Sequence, residues 1–162
     1  MPIECFRVDD RLVHGQVVVG WGQSLRLGFI VLVDDTVAAN DWECELYSMG
    51  TPPEMTLFVE TTDSVVLRLP EFDARADAGM LLTADIPTMG RLVQSAPRIR
   101  AVNIGGVHHR IGRTWRLPYV FLSPEDDAAL AAIASCGVRV TAQDLPGADE
   151  VPLEALLSGG PA

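Results

Sequence analysis

The sequence predicts an α/β fold built on a mostly parallel β-sheet with right-handed crossovers. Three observations carry that prediction. Short β-branched and aliphatic runs alternate with longer segments at helical spacing, as chains of βαβ units do. One run, FIVLVDD at 29–35, is almost continuously apolar and closes on acidic residues, as a strand buried on both faces does. The chain has 162 residues, 48% of them hydrophobic and 21% charged, which suits one core in a single domain over 1–162.

The elements follow in order. IECFRV (3–8) reads as a strand, and GQVVVGWGQSL (15–25) as the helix after it, weakened by its glycines. After the apolar strand at 29–35, TVAANDWECELYSMG (36–50) reads as one helix capped by Thr36 and closed by Gly50. MTLFVE (55–60) is a strand, TTDSVVLRL (61–69) a helix stopped by Pro70, and GMLLTAD (79–85) a strand. IPTMGRLVQSA (86–96) is a helix with proline in its first turn, and RAVNIGG (100–106) a strand running into a glycine pair. PYVFLS (118–123) is a strand, and PEDDAALAAIASCG (124–137) is the clearest helix, opened by proline and acids and closed by glycine. VRVTAQ (138–143) is a strand, LEALL (153–157) a short helix, and SGGPA a loose tail. No internal repeat or domain linker interrupts this order.

Composition narrows the function classes. The net charge is −10 and all 12 basic residues are arginine, so nucleic acid and anionic membranes are excluded as nonspecific partners. Cys5, Cys44 and Cys136 are odd in number and have no C-x-x-C pairing; they read as buried thiols of a reducing compartment. The N-terminus enters a strand directly, and no run reaches the roughly 18 apolar residues of a membrane span. A soluble, cytoplasmic protein is expected.

In an open α/β sheet the functional loops lie beyond the carboxyl ends of the strands, which directs attention to RVDDRLVHGQV (7–17). His14 falls between the first strand and the first helix. Gly15 lets backbone approach a ligand, the amides opening at Gln16 face any anion on the imidazole, and Arg11 supplies a planar donor fork. A histidine near neutral pH, with an unperturbed pKa of about 6.5, is a nucleophile whose phosphoramidate readily gives its group up again. Asp9 and Asp10 can orient the imidazole or the arginines, but both beside a phosphate would oppose it, so at least one is expected to turn away and tie down the loop. The same residues also fit a plain turn with solvated charges, and they do not by themselves decide between the two.

The stretch RVDDRLVHGQV closely resembles the phosphorylation-site segment of the IIB subunits of the mannose/fructose/sorbose family of the bacterial phosphoenolpyruvate-dependent sugar phosphotransferase system. IVLVDDTVAAN and AVNIGG extend the likeness over most of the chain, and Val13 stands where isoleucine is frequent. The resemblance implies a three-layer α/β/α domain with the first strand central, in which His14 takes a phosphoryl group from a IIA phosphohistidine and passes it to a sugar hydroxyl through membrane IIC and IID subunits. Arg11 matches the arginine of the motif, and the protein would associate peripherally with the permease. No cofactor and no metal are implied.

The second loop, NIGGVHHRIGRTWR (103–116), places Arg110, Arg113 and Arg116 together. If its strand neighbours the first, as the family fold implies, Gly105 and Gly106 allow close backbone approach and Arg110 adds a second contact to the phosphoryl group. The alternative is a glycine turn with solvated arginines. His108 and His109 point to opposite sides of an extended segment and receive no role, which leaves little for a zinc hydrolase. Trp42, Leu46 and Met49 form a helical stripe expected in the core, as is Trp21; Asp34 and Asp35 orient arginines or cap the next helix. A regulatory phosphoprotein that keeps its phosphate on His14 remains the alternative function, and a homodimer through apolar helix faces is left open.

Overall fold

A computed structural model of the chain describes residues 2–157, so the expected loose tail lies outside the described residues. Among the described residues nine strands form: β1 (Ile3–Val8), β2 (Leu27–Val33), β3 (Thr56–Glu60), β4 (Ala78–Thr83), β5 (Ala101–Ile104), β6 (Thr114–Leu117), β7 (Val120–Leu122), β8 (Arg139–Ala142) and β9 (Val151–Pro152). Seven of them make one sheet in the order β3-β2-β4-β1-β5-β8-β9, with every pairing parallel except β8 with β9; β6 and β7 form a separate antiparallel pair. β1 is thus central.

Helices cover both faces, giving the three-layer α/β/α architecture. On one face lie α1, a π-helix Gln16–Trp21 that closes with the turn Gly22–Ser24, then α2 (Asp35–Ala38) and α3 (Asp41–Met49). On the other lie α4 (Thr62–Asp73), α5 (Ile86–Ser95), α6 (Pro124–Ser135) and α7 (Leu153–Leu157). β2 shows why the continuous apolar run was needed. Its Phe29, Val31 and Val33 join the core under α4 and α5, while Leu27, Ile30 and Leu32 join the core under α1 and α2. Among the described residues no helix is long and apolar enough to cross a membrane.

The structure corrects several boundaries. Asp34, not Thr36, caps the helix after β2 through the Val37 amide, and the expected single helix breaks at Asn40, which caps α3 through Glu43. Each cap satisfies an amide that would otherwise lack a partner. α4 does not stop at Pro70 but runs on to Asp73. The proline forfeits one helical hydrogen bond, and burial of Leu69 and Phe72 on either side of it offsets the loss. β6 forms in a stretch whose sequence predicts a loop; its arginine and tryptophan sit outside the main sheet, where no apolar run is required.

Two burial expectations also fail. Trp42, Leu46 and Met49 are exposed, because α3 seats on edge strand β3 and α2 through its opposite side, with Cys44 and Tyr47 inward. Cys136 is exposed at the end of α6, whereas Cys5 and Cys44 are half-buried; burial pushes the Cys5 thiol up to about 11 against the pull of Arg7. Trp21 is buried as expected.

β1 and β5 are neighbours whose onward connections diverge. From β1 the chain crosses to β2 on one side, and from β5 it passes through β6, β7 and α6 to β8 on the other. The crevice at their carboxyl ends is a topological switch point.

Gly79 tests the packing of the central sheet. A Cβ there would meet Phe29 ring atoms at 2.2–2.5 Å, and Phe29 itself stacks on Phe72 with centroids 6.0 Å apart. Gly79→Ala is expected to lower stability by about 1–3 kcal/mol in urea unfolding. Gly90→Ala, whose Cβ would meet only Ile133 at 3.8 Å and 3.9 Å within α5, is expected to raise it by about 0.4–1 kcal/mol.

Candidate functional site

Hydrogen bonds that continue the strand ladders hold the loops of this crevice together. Asp9 N–H donates to Thr83 O at 2.9 Å, Gly105 N–H to Val8 O at 2.7 Å, Asp10 N–H to Gly106 O at 2.8 Å, and Gln143 N–H to Ile104 O at 3.0 Å. The backbone then turns sharply. Leu12 takes a left-handed conformation (φ 58°) while its side chain is buried under α1, a strain tolerated because it returns the chain over Asp9.

Asp9 is the centre. Its side chain is fully buried and accepts from Arg11 Nε and Nη2, each at 3.1 Å, from the Arg11 amide at 3.1 Å, and from Arg7 Nη2 at 3.3 Å. His14 Nε2 lies 3.3 Å from Asp9 Oδ2, in ion-pair reach though not in hydrogen-bond alignment. Burial would raise the Asp9 carboxyl, but His14, Arg11 and Arg7 together outweigh it and hold the carboxyl far below the usual carboxylate range.

Arg7 has zero exposure in the middle of the sheet. Its guanidinium binds the Asn103 side chain opposite on β5, the carbonyls of Gln143 (2.9 Å) and Asp144 (3.1 Å), and Asp9, and it lies 4.7 Å over the Trp21 ring. Burial pulls its pKa down; the Asp9 carboxylate is the main force against that.

The other imidazole nitrogen is fixed from the opposite side. The Gln16 amide donates to His14 Nδ1 at 3.2 Å, so Nδ1 carries the lone pair and the ring proton sits on Nε2, facing Asp9. Nε2 is buried, while the His14 side chain as a whole is 19% exposed. Of the amides opening α1, only that of Gln16 faces the ring; those of Val17 and Val18 donate to His14's own carbonyl at 3.0 Å and 2.9 Å. The Gln16 side-chain oxygen is buried without a partner. Gly15 caps α1 with ordinary helical backbone, and open space lies where its Cβ would stand.

The remaining expected residues fall in different places. Asp10 turns away from the imidazole and ties the first loop to the second, accepting from the His108 amide at 2.7 Å with its other oxygen 2.5 Å from His108 Nδ1. Gly105 and Gly106 make room for arginines: a Cβ on Gly105 would strike the Arg7 guanidinium at 2.2 Å, and one on Gly106 would crowd Arg11 Nε and Asp9 Oδ1 at 3.0 Å. Arg113 and Arg116 pair with Asp126 and Asp127 at the start of α6. Arg110 is exposed on the loop between β5 and β6 and makes no side-chain ion pair among the described residues. Sequence reasoning passed over Arg7, Asn103 and Asp144. The available signal was an arginine inside a central strand, which demands a buried anion.

The chain is similar over nearly its whole length to one family: residues 3–160 match the model described as PTS system sorbose subfamily IIB component. It is 32% identical over 148 residues to the N-acetylgalactosamine-specific phosphotransferase enzyme IIB component 1 of Escherichia coli K12, covering 87% of this chain and 89% of that one. It is 27% identical over 158 residues to the mannose-specific EIIAB component of the same strain, covering 98% of this chain but 49% of the relative, so it spans about half of that protein's length. The IIBSor domain of the sorbose permease of Klebsiella pneumoniae superposes with a TM-score of 0.87 at 25% identity, covering 98% of each chain.

The depressed Asp9 carboxyl makes a stability prediction. A group whose pKa is lower in the folded state contributes stability above its unfolded value and loses it as pH falls through the folded one. Unfolding free energy should therefore drop as pH goes below about 4. Asp9→Asn should flatten that acid limb and cost about 3–5 kcal/mol at pH 7 by leaving Arg7 buried without its anion, as read by denaturant titrations across pH.

Proposed function

Since the chain belongs to the sorbose subfamily of phosphotransferase-system IIB components, we propose that it is a cytoplasmic phosphocarrier of a sugar phosphotransferase system that works through a phosphohistidine on His14. The observation that carries this reading is the split imidazole: Nε2 is buried against Asp9, and Nδ1 keeps its lone pair toward the Gln16 amide. A phosphoryl group delivered by the phosphohistidine of a IIA protein meets Nδ1. The donor N–P bond breaks, the Nδ1–P bond forms, and the ring proton stays on Nε2, where the Asp9 carboxylate balances the positive charge that the ring acquires.

Arg11 is the cation placed to receive the new charge. Its guanidinium is 31% exposed, it already lies in the carboxylate cluster beside His14, and its planar fork fits phosphate oxygens as well as carboxylate oxygens. The Gln16 N–H is the backbone donor nearest the reacting nitrogen. In the second transfer the Nδ1–P bond breaks, a sugar hydroxyl presented by membrane IIC and IID subunits gains the phosphoryl group and gives its proton to solvent, and the ring returns to the neutral form with its proton on Nε2. Arg7 does not share in this contact because it is sealed under the sheet's own loops; it holds Asp9, and Asp9 holds the ring. Asp10 and His108 set the distance between the two loops.

Intact mass after incubation with phosphoenolpyruvate, the general phosphotransferase proteins and a IIA protein tests the reading. A single acid-labile phosphate is expected on the wild type and none on His14→Ala. Arg11→Ala should slow phosphorylation about a hundredfold, in the range seen when one preorganised charge-stabilising donor is removed. An equal phosphate gain in His14→Ala would overturn the assignment.

A further inference from the structure

One group in the site has no structural employment. Asp144, on the loop after β8, contributes its backbone carbonyl to the fold, accepting from Arg7 Nη2 and from Trp21 Nε1, each at 3.1 Å. Its side chain does nothing comparable. Oδ1 is buried without a hydrogen-bond partner, and it lies 3.9 Å from Arg11 Nη2, the same nitrogen that donates to Asp9. A buried carboxylate oxygen without a hydrogen-bond partner costs free energy that an alanine would avoid.

Charge counting shows what that oxygen can do. With the imidazole neutral, Arg7 and Arg11 are matched by Asp9 and Asp144, so the cluster is balanced before any phosphoryl group arrives. A phosphoryl group brings about two negative charges while the ring gains one positive charge, so phosphorylation leaves the cluster with about one negative charge in excess. Arg11 can neutralise it only by giving up part of its hold on carboxylate, and Asp144 is the second carboxylate within reach of the same guanidinium nitrogen. Asp9 cannot move away to relax this competition, because it is held by Arg7 as well as by Arg11.

We propose that Asp144 is a positioning residue that competes for Arg11 and thereby keeps the phosphohistidine weakly held, raising its tendency to pass the phosphoryl group on. The proposal rests on the phosphocarrier reading and deepens it. The side chain acts through Arg11 and does not itself touch the transferred group. The other ionisable groups near it are Tyr119, whose hydroxyl is raised by burial and by the Asp144 carboxylate, and Arg7, which donates to the Asp144 carbonyl.

The test uses phosphoramidate, which phosphorylates imidazole with release of ammonia and needs no protein donor. Wild type, Asp144→Asn, Asp144→Glu and His14→Ala are labelled, freed of reagent, and followed by intact mass with the site localised by peptide mapping. The half-life of the His14 phosphate at pH 8 is expected to lengthen about twofold to fivefold in Asp144→Asn, the effect of removing one part-exposed ion-pair partner, and to stay near wild type in Asp144→Glu. A half-life unchanged or shortened in Asp144→Asn overturns the proposal. Equal lengthening in both variants also overturns it, since the effect would then belong to loop packing and not to charge. A wild type that takes no label on His14, while free imidazole is labelled, overturns the phosphocarrier reading and the proposal with it.

Discussion

The buried carboxylate of Asp9 is the constraint on which the rest of the site depends. A carboxylate with no exposure must be paired or it will not stay ionised, and here it is paired with Arg7 and Arg11 while His14 Nε2 lies 3.3 Å away. Each partner is in turn held by something else. Arg7 is fastened by Asn103 and by two carbonyls of the loop after β8, so the first, fifth and eighth strands must be in register for Asp9 to be neutralised. The glycines at 105 and 106 belong to the same requirement, since a side chain at either position would displace one of the two arginines.

Sheet order explains why this network sits where it does. The divergence of the chain after β1 and β5 puts a switch point at their carboxyl ends, and loop amides there tie the strand ends together with backbone hydrogen bonds. A sealed floor results, with part-exposed charge at its rim: Arg7 and Asp9 have no exposure, whereas Arg11, His14 and Asp144 keep partial contact with solvent. Preorganisation of this kind lets a group-transfer site hold charge without rearranging its core.

How much of this was legible in the sequence follows from how local each feature is. The succession of strands and helices along the chain and the place of the histidine loop were legible because period and motif spacing are read within a dozen residues. The stripe of Trp42, Leu46 and Met49 was correctly placed on one helical face, but nothing local says which face of α3 finds the edge strand, and the other face did. Pro70 was a sound local stop signal overridden by the burial of its neighbours. Arg7, Asn103 and Asp144 were illegible for a different reason: Arg7 meets Asn103 from 96 residues away and Asp144 from 137, and only the fold brings them together. Asp10 and His108 likewise form a contact that neither loop announces.

The charge arrangement bears on why such a site would carry a phosphoryl group and not keep it. A site meant to retain phosphate gains from surplus cations, as clusters of arginine and helix amides supply elsewhere. This cluster has none: its two arginines are already matched by two carboxylates, two of the three amides opening α1 are spent on the His14 carbonyl, and Arg113 and Arg116 are turned to the acids of α6. On the proposed reading, a phosphoryl group on Nδ1 enters a neutral pocket of an acidic protein, is met by a single shared arginine and one amide, and is left with uncompensated charge. That makes the phosphorylated state accessible from a donor of similar energy and easy to leave for an acceptor, which is the balance a carrier needs.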